Sequence, residues 1–227
     1  MIRSAKSLVR MKIKNRKIRQ PVNFYTHFVP ALLALPGAYI LFAHSISDIQ
    51  QFAAIVYGLC TVVLFGISAT YHGYPSTEKE IRFWQKFDHC CIYLMIAGSY
   101  TPTILLVFDG GLRWTIFSVV WLIALAGCTI KIFNRLQNKG FSLAIYIGMG
   151  LLIVPLLNQM LLKVPLEAIL WLMLGGVFYI GGTVFYYQDR AYHKWVHSHE
   201  IWHVFVVAGA ASHYVYNYVY LFQPGLA

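Results

Sequence analysis

Seven apolar stretches, each close to twenty residues and almost free of charge, follow one another along this chain: Phe24–Ala43, Phe52–Tyr71, Cys90–Phe108, Trp114–Phe133, Leu143–Leu162, Leu166–Tyr187 and Ile201–Phe222. A helix needs ~20 such residues to cross the hydrocarbon of a bilayer. In that medium every backbone N–H and C=O must find a partner within the protein, which leaves helices or closed barrels. The alternating pattern of barrel strands is absent, so the stretches read as helices. Charged residues make up only 11% of the chain, about half the share of a soluble domain. The expectation is an all-α membrane protein, a bundle of seven transmembrane helices. Pro30, Pro36, Pro102 and Pro155 fall inside the stretches and predict kinks that neighbouring helices can absorb.

The net charge of +10 would suit nucleic acid, but its distribution argues otherwise. Arg3, Lys6, Arg10, Lys12, Lys14, Arg16, Lys17 and Arg19 precede the first stretch. Lys79, Arg82, Lys86, Lys131, Arg135, Lys139, Arg190 and Lys194 fall in the segments that an alternating path places on the same side. The other side receives only Arg113 and Lys163, so the count is sixteen against two. Positively charged loops stay inside, which predicts a cytoplasmic N-terminus and an outer C-terminus in a cell membrane. A basic head lacking acids also fits a signal peptide or a mitochondrial presequence, but the first stretch is too long for an ordinary signal core. The reading is a basic cytoplasmic segment, residues 1–22, followed by a single membrane domain, residues 23–227. Membrane lipids are the expected partners, with anionic headgroups against the basic segment, and nucleic acid is not expected.

The four cysteines (Cys60, Cys90, Cys91 and Cys128) lie inside the stretches and read as packing thiols rather than a disulfide framework. Cys90 and Cys91 follow Asp88 and His89, which leaves a metal role open for them.

Polar residues gather at one membrane depth. Ser68 and His72 end the second stretch, Asp88 and His89 begin the third, His199 and His203 begin the seventh, and Asn23 and His27 begin the first. Asn23/His27, Ser68/His72 and His199/His203 are each four residues apart, so each pair shares one side of its helix. Two imidazoles so spaced can face one metal, and a third from another helix would complete three ligands with a fourth position for water, the form of a catalytic zinc site. Polar groups within spans usually face the bundle interior and mark function. A lone histidine near a helix end is more often an interfacial group; His193, His197, His44 and His213 are read that way or as too distant.

The stretch "SHEIWH" (Ser198–His203) matches the H-E-x-x-H pattern of zinc peptidases, with Glu200 as base. Such peptidases need a further ligand downstream, and no Asp or Glu follows Glu200. The "FDGG" at Phe108–Gly111 would supply Asp109 to an intramembrane protease, but it falls on the outer side, about 30 Å of hydrocarbon away. Glu200 is therefore expected to face the headgroup zone or a neighbouring base.

"NFYTH" (Asn23–His27), "SATYH" (Ser68–His72), "FDHCCIYLMIAGSYTP" (Phe87–Pro102) and "HEIWH" (His199–His203) resemble, in order, the signatures of the haemolysin III branch of the progestin and adipoQ receptor family. The resemblance covers nearly the whole chain. It implies a seven-helix bundle with a cytoplasmic N-terminus, and Zn2+ near the inner face held by His72, His199 and His203. It further implies Asp88 beside the water on the metal and Ser68 close to a substrate oxygen, as the catalytic pair. Asn23 and His27 are assigned to a shell around the metal ligands. Bacterial relatives usually carry a glutamate three positions before the asparagine, where this chain has Gln20.

Two functions follow. One is a zinc-dependent hydrolase of a lipid amide such as ceramide, as some relatives are thought to be. The other is a non-enzymatic regulator or sensor of membrane energetics or lipid state, with zinc as a structural staple. Lysis, suggested by the family label, is disfavoured because no helix carries a charged stripe to line a water path. A transporter would place its polar groups at mid-bilayer. Tyr214, Tyr216, Tyr218 and Tyr220 are expected to form an interfacial aromatic belt.

Overall fold

The computed structural model describes residues 18–133, 138–188, 190–193 and 196–223. Of the basic residues counted above, Arg3, Lys6, Arg10, Lys12, Lys14, Arg16, Lys17, Arg135 and Lys194 lie outside the described residues.

Seven long helices form among the described residues: α1 (Pro21–Ala43), α2 (Asp48–Gly73), α3 (Glu78–Val107), α4 (Gly110–Ile132), α5 (Lys139–Leu151), α6 (Leu166–Gln188) and α7 (Ser198–Tyr216). A 3₁₀ turn (Val154–Leu156) and a short helix (Leu157–Leu161) prolong α5, and a π-helical turn (Asn217–Leu221) prolongs α7. The fold is that of an all-α membrane protein. Six helices, counting α5 with its extension, are long and apolar enough to cross a bilayer. The seventh, α7, has similar length but is less apolar because His199, Glu200, His203 and His213 all lie on it.

Each helix packs on the next from α1 to α4, α6 packs on α7, and α1 returns to α7 to close the ring. α3 is the innermost helix and α1 the most lipid-facing. Close approach depends on small residues, as in membrane bundles generally. A side chain at Gly98 would strike Cys60 of α2, and one at Gly127 of α4 would strike the buried Tyr93 of α3. On the other side, Gly209 accommodates the ring of Tyr179 and Gly175 the ring of His213, so α6 and α7 interlock reciprocally.

Several features differ from the sequence expectation. No apolar stretch covers residues 72–89, yet α2 runs to Gly73 and α3 begins at Glu78. Thr77 caps α3: its hydroxyl accepts from the Glu80 N–H (3.2 Å), while Glu80 accepts from the N–H groups of Ser76 (2.8 Å) and Thr77 (3.1 Å). This capping box, with the Glu78–Arg82 pair one turn on, extends the helix beyond its apolar part. The stretch Leu143–Leu162 is interrupted at Pro155 rather than kinked. A two-stranded ribbon, Ala191–His193 against Val196–His197, joins α6 to α7. Tyr216 is only 1% exposed and belongs to the core, where its hydroxyl accepts from Thr103 (3.2 Å). Tyr214 donates to the Gly37 carbonyl of α1 (3.2 Å), so this pair of tyrosines packs helices rather than forming a belt.

Asp109 sits at the far end of the bundle from the histidines, paired with Arg113 (3.0 Å) and Lys163. Those two cations hold its carboxyl below the ordinary range, the Lys163 hydrogen bond contributing most. Gly110, which follows it, has φ +57°, a conformation that suits glycine at this sharp turn from α3 into α4.

Candidate metal centre

His72 ends α2, and His199 and His203 occupy the first two turns of α7. The two helices run in opposite directions, so the end of one and the start of the other lie at the same end of the bundle. There the three residues offer one ligand atom each, all within 4.8 Å of one another. His72 and His203 are buried at 3% and 2% exposure, and His199 is partly buried. His72 Nε2 and His199 Nε2 face each other across 3.3 Å.

Hydrogen bonds from α1 fix how two of these rings are presented. The Thr26 hydroxyl donates to the Asn23 carbonyl (3.0 Å), so toward His203 Nδ1 (2.9 Å) it can only accept. His203 Nδ1 therefore carries the proton and Nε2 is left bare. The Gln20 side-chain oxygen lies 2.5 Å from His72 Nδ1, which likewise leaves Nε2 bare. A second polar partner of this kind typically orients a metal-ligating imidazole and sets its tautomer. A bare His72 Nε2 facing His199 Nε2 at this distance calls for a proton on His199 or a cation between the two rings. In a tetrahedral site with metal–nitrogen bonds of about 2.05 Å, two ligand nitrogens stand about 3.3 Å apart. The donor set and its spacing fit a metal ion, which His72, His199 and His203 can hold.

His27 lies flat against His203, with ring centroids 3.7 Å apart, and edge-on to Phe65 at 5.1 Å. Asn23 reaches the other way: its amide donates to Glu200 Oε1 (2.9 Å), while Glu200 Oε2 accepts from the His197 N–H (2.7 Å). Glu200 thus caps α7 and braces it to α1. The Ser198 hydroxyl adds a second fastening by accepting from the Arg190 N–H (2.7 Å).

The triad opens onto a chamber of about 940 Å³. Ser68 and Asp88 line it beside His72 and His199, so the residues singled out by spacing share one cavity. The cavity follows α3 from Gln85 to Thr103, about 27 Å at 1.5 Å per residue. Beyond the histidines its wall is mainly apolar, with Ile92, Met95, Ile96, Leu172, Met173 and Val177. His213, which spacing sets apart from the centre, lies on this wall, and its Nε2–H donates to the Leu172 carbonyl (3.1 Å). His89 is held by the Gln85 carbonyl (2.7 Å) and the Tyr186 hydroxyl (3.3 Å). Cys90 and Cys128 contact each other's carbonyls at 3.6 and 3.5 Å, away from the triad, so these thiols pack α3 on α4.

Spacing alone misses Gln20 and Thr26. Thr26 lies within the quoted NFYTH stretch, three residues after Asn23, which is the one signal that could have marked it. Gln20 lies outside every apolar stretch; the resemblance marks its position, but its contact with His72 becomes visible only when α1 and α2 are packed.

A buried trio of imidazoles at the end of a deep chamber, within seven helices, defines a membrane protein with a metal-competent centre. The chain belongs to the haemolysin-III related family, whose model matches residues 15–214. It is 32% identical to Hemolysin-3 of Bacillus cereus over 194 residues, covering 83% of this chain and 85% of that one. The Hemolysin-3 homolog of Bacillus subtilis (strain 168) is 32% identical over 197 residues, covering 84% and 88%. The monocyte to macrophage differentiation factor of Homo sapiens is 31% identical over 211 residues, covering 88% and 84%.

Proposed function

We propose that this protein is a zinc-dependent hydrolase of a lipid amide, of the ceramide type, working at the cytoplasmic side of a cell membrane. The observation that carries this reading is the convergence of three imidazoles at one end of a deep, largely apolar chamber. Imidazole donors suit zinc, and three of them leave a position open, as catalytic zinc sites do. A divalent ion held there supplies Lewis acidity toward a carbonyl and makes water nucleophilic at neutral pH.

The chain's own groups do the rest. The apolar wall along α3 and α6 seats an acyl chain and excludes bulk water from the reacting carbonyl. Ser68, one turn before His72 on the same side of α2, steadies the carbonyl oxygen with its hydroxyl. The Asp88 carboxylate takes a proton from the attacking water as the water oxygen bonds to the carbonyl carbon. It returns that proton to the amide nitrogen as the C–N bond breaks, releasing a fatty acid and an amine.

Sidedness rests on charge. Arg19, Lys79, Arg82, Lys86, Lys131, Lys139 and Arg190 flank the helix ends nearest the triad, whereas Arg113 and Lys163 flank the opposite ends. The basic segment 1–22 then meets anionic headgroups of the inner leaflet, and residues 23–227 act as one membrane domain.

The test is acyl-amide turnover by purified protein in lipid nanodiscs, compared with His199→Ala. Turnover that depends on His199 supports the reading; equal rates in the two proteins would remove it.

One observation favours a second reading, a membrane regulator with a structural metal: the triad ties α2 to α7, with α1 packed on both. If the metal only staples, Asp88→Asn keeps both metal and cellular function. If the centre is catalytic, that variant keeps metal and loses function.

A further inference from the structure

α1 begins unusually. Gln20 is its N-cap residue, yet the Gln20 side chain makes no hydrogen bond to its own helix, and Pro21 follows it directly. An N-cap side chain ordinarily accepts from a backbone N–H one turn ahead. Here the side-chain oxygen turns instead to His72 Nδ1 at 2.5 Å. The main chain of Gln20 holds the same residue, its N–H donating to the His72 carbonyl (3.0 Å). Arg19 completes the clasp: its N–H donates to the Gly73 carbonyl (3.1 Å) and its guanidinium to the Tyr71 carbonyl (2.6 Å). Three successive carbonyls at the end of α2, left without partners by the helix itself, are satisfied by two residues.

We propose that Gln20 is a positioning residue for the metal centre, holding His72 with Nε2 toward the ion and, through its neutral amide, keeping the metal exchangeable. The proposal rests on reading the triad as a metal centre, and it adds a residue that ligand spacing does not reveal. An oxygen acceptor at Nδ1 fixes the tautomer and raises the basicity of the opposite nitrogen. A carboxylate does so more strongly than an amide, because a charged acceptor makes the stronger hydrogen bond. The amide therefore gives a correctly aimed ligand that is less basic than a carboxylate partner would make it.

The experiment measures Zn2+ and Co2+ affinity of the full-length purified protein by chelator competition, together with the visible spectrum of the Co2+ form. Gln20→Glu is expected to tighten binding about tenfold, and Gln20→Leu to weaken it about 10- to 100-fold. Both should shift the cobalt bands, which a merely structural role would leave in place. Thermal unfolding of the metal-free proteins identifies any variant that fails to fold; if Gln20→Leu does, the near-isosteric Gln20→Glu decides. Metal that binds the wild type and is lost in His203→Ala, but binds both Gln20 variants with unchanged affinity and spectrum, overturns the proposal alone. A wild type that takes up no stoichiometric metal overturns it together with the metal-centre reading.

Discussion

His27 and His203 are stacked face to face, their planes within 6° of parallel, and neither ring nitrogen of His27 has a hydrogen-bond partner among the described residues. His27 is 4% exposed and lines the chamber. A buried polar ring without partners costs stability, whereas an apolar ring of similar shape at the same place does not. His27→Phe is therefore expected to leave the thermal midpoint unchanged or higher, with metal affinity within a few-fold of wild type. His27→Ala removes the support beneath His203 and should cost about 3 kcal/mol through the cavity it leaves. Unfolding curves and metal titrations of the two variants check this. A His27→Phe protein that folds and binds metal but no longer turns over substrate would assign the two nitrogens to the substrate instead.

Glu200 settles a different question. The H-E-x-x-H pattern would make it a base, and removing such a group typically costs 10²- to 10⁴-fold in rate. In the structure both of its oxygens are taken, by the Asn23 amide and the His197 N–H. Glu200→Gln is thus expected to lower stability by about 1–3 kcal/mol, since one of the two donors then faces an NH₂ group. Any activity should stay within several-fold of wild type. Rate and unfolding measured on the same preparation separate the two outcomes.

Much of this centre is legible in the chain because spacing and burial act together. Long apolar blocks force helices, and residues four apart on them must share a side; hence Ser68 with His72, and His199 with His203. The partners that orient the rings are hidden for a physical reason. Gln20 precedes its helix, and its role arises only where the start of α1 packs on the end of α2. The outward reach of α3 is hidden because Glu78 to Lys86 is charged, and hydropathy cannot distinguish a solvated helix from a loop there; the Thr77–Glu80 box is the signal that does. Tyr216 is misplaced for the converse reason, as an aromatic near a span end fits a belt or a core equally well until Thr103 is seen against it.

Thr26 bears on the second tautomer. Its hydroxyl is the acceptor for His203 Nδ1, and valine has nearly its shape without the oxygen. Thr26→Val should weaken metal binding about 10- to 100-fold, because the His203 N–H loses the hydroxyl that helps fix its tautomer and ring orientation. Thr26→Ser, which retains the oxygen, should restore most of the affinity. Chelator competition on the three proteins is sufficient, and equal affinities would show that His203 is held by packing alone.

The far reach of the chamber depends on Tyr100. α5 breaks after Leu151, and the break leaves backbone groups that lipid cannot satisfy. The Tyr100 hydroxyl lies 2.8 Å from the carbonyls of both Met149 and Gly150 and accepts from the Ile153 N–H at 3.0 Å. One oxygen on α3 therefore replaces the missing helix hydrogen bonds. Tyr100→Phe keeps the ring and removes only that service, so it should cost about 1–3 kcal/mol. The loss should be local, because α5 packs only thinly on its neighbours, mainly α3 and α6. Hydrogen exchange is expected to rise at residues 149–156 while the metal centre keeps its affinity. On the hydrolase reading, the substrates expected to be most affected are those with acyl chains long enough to reach this break. Short-chain amides should be turned over at the wild-type rate.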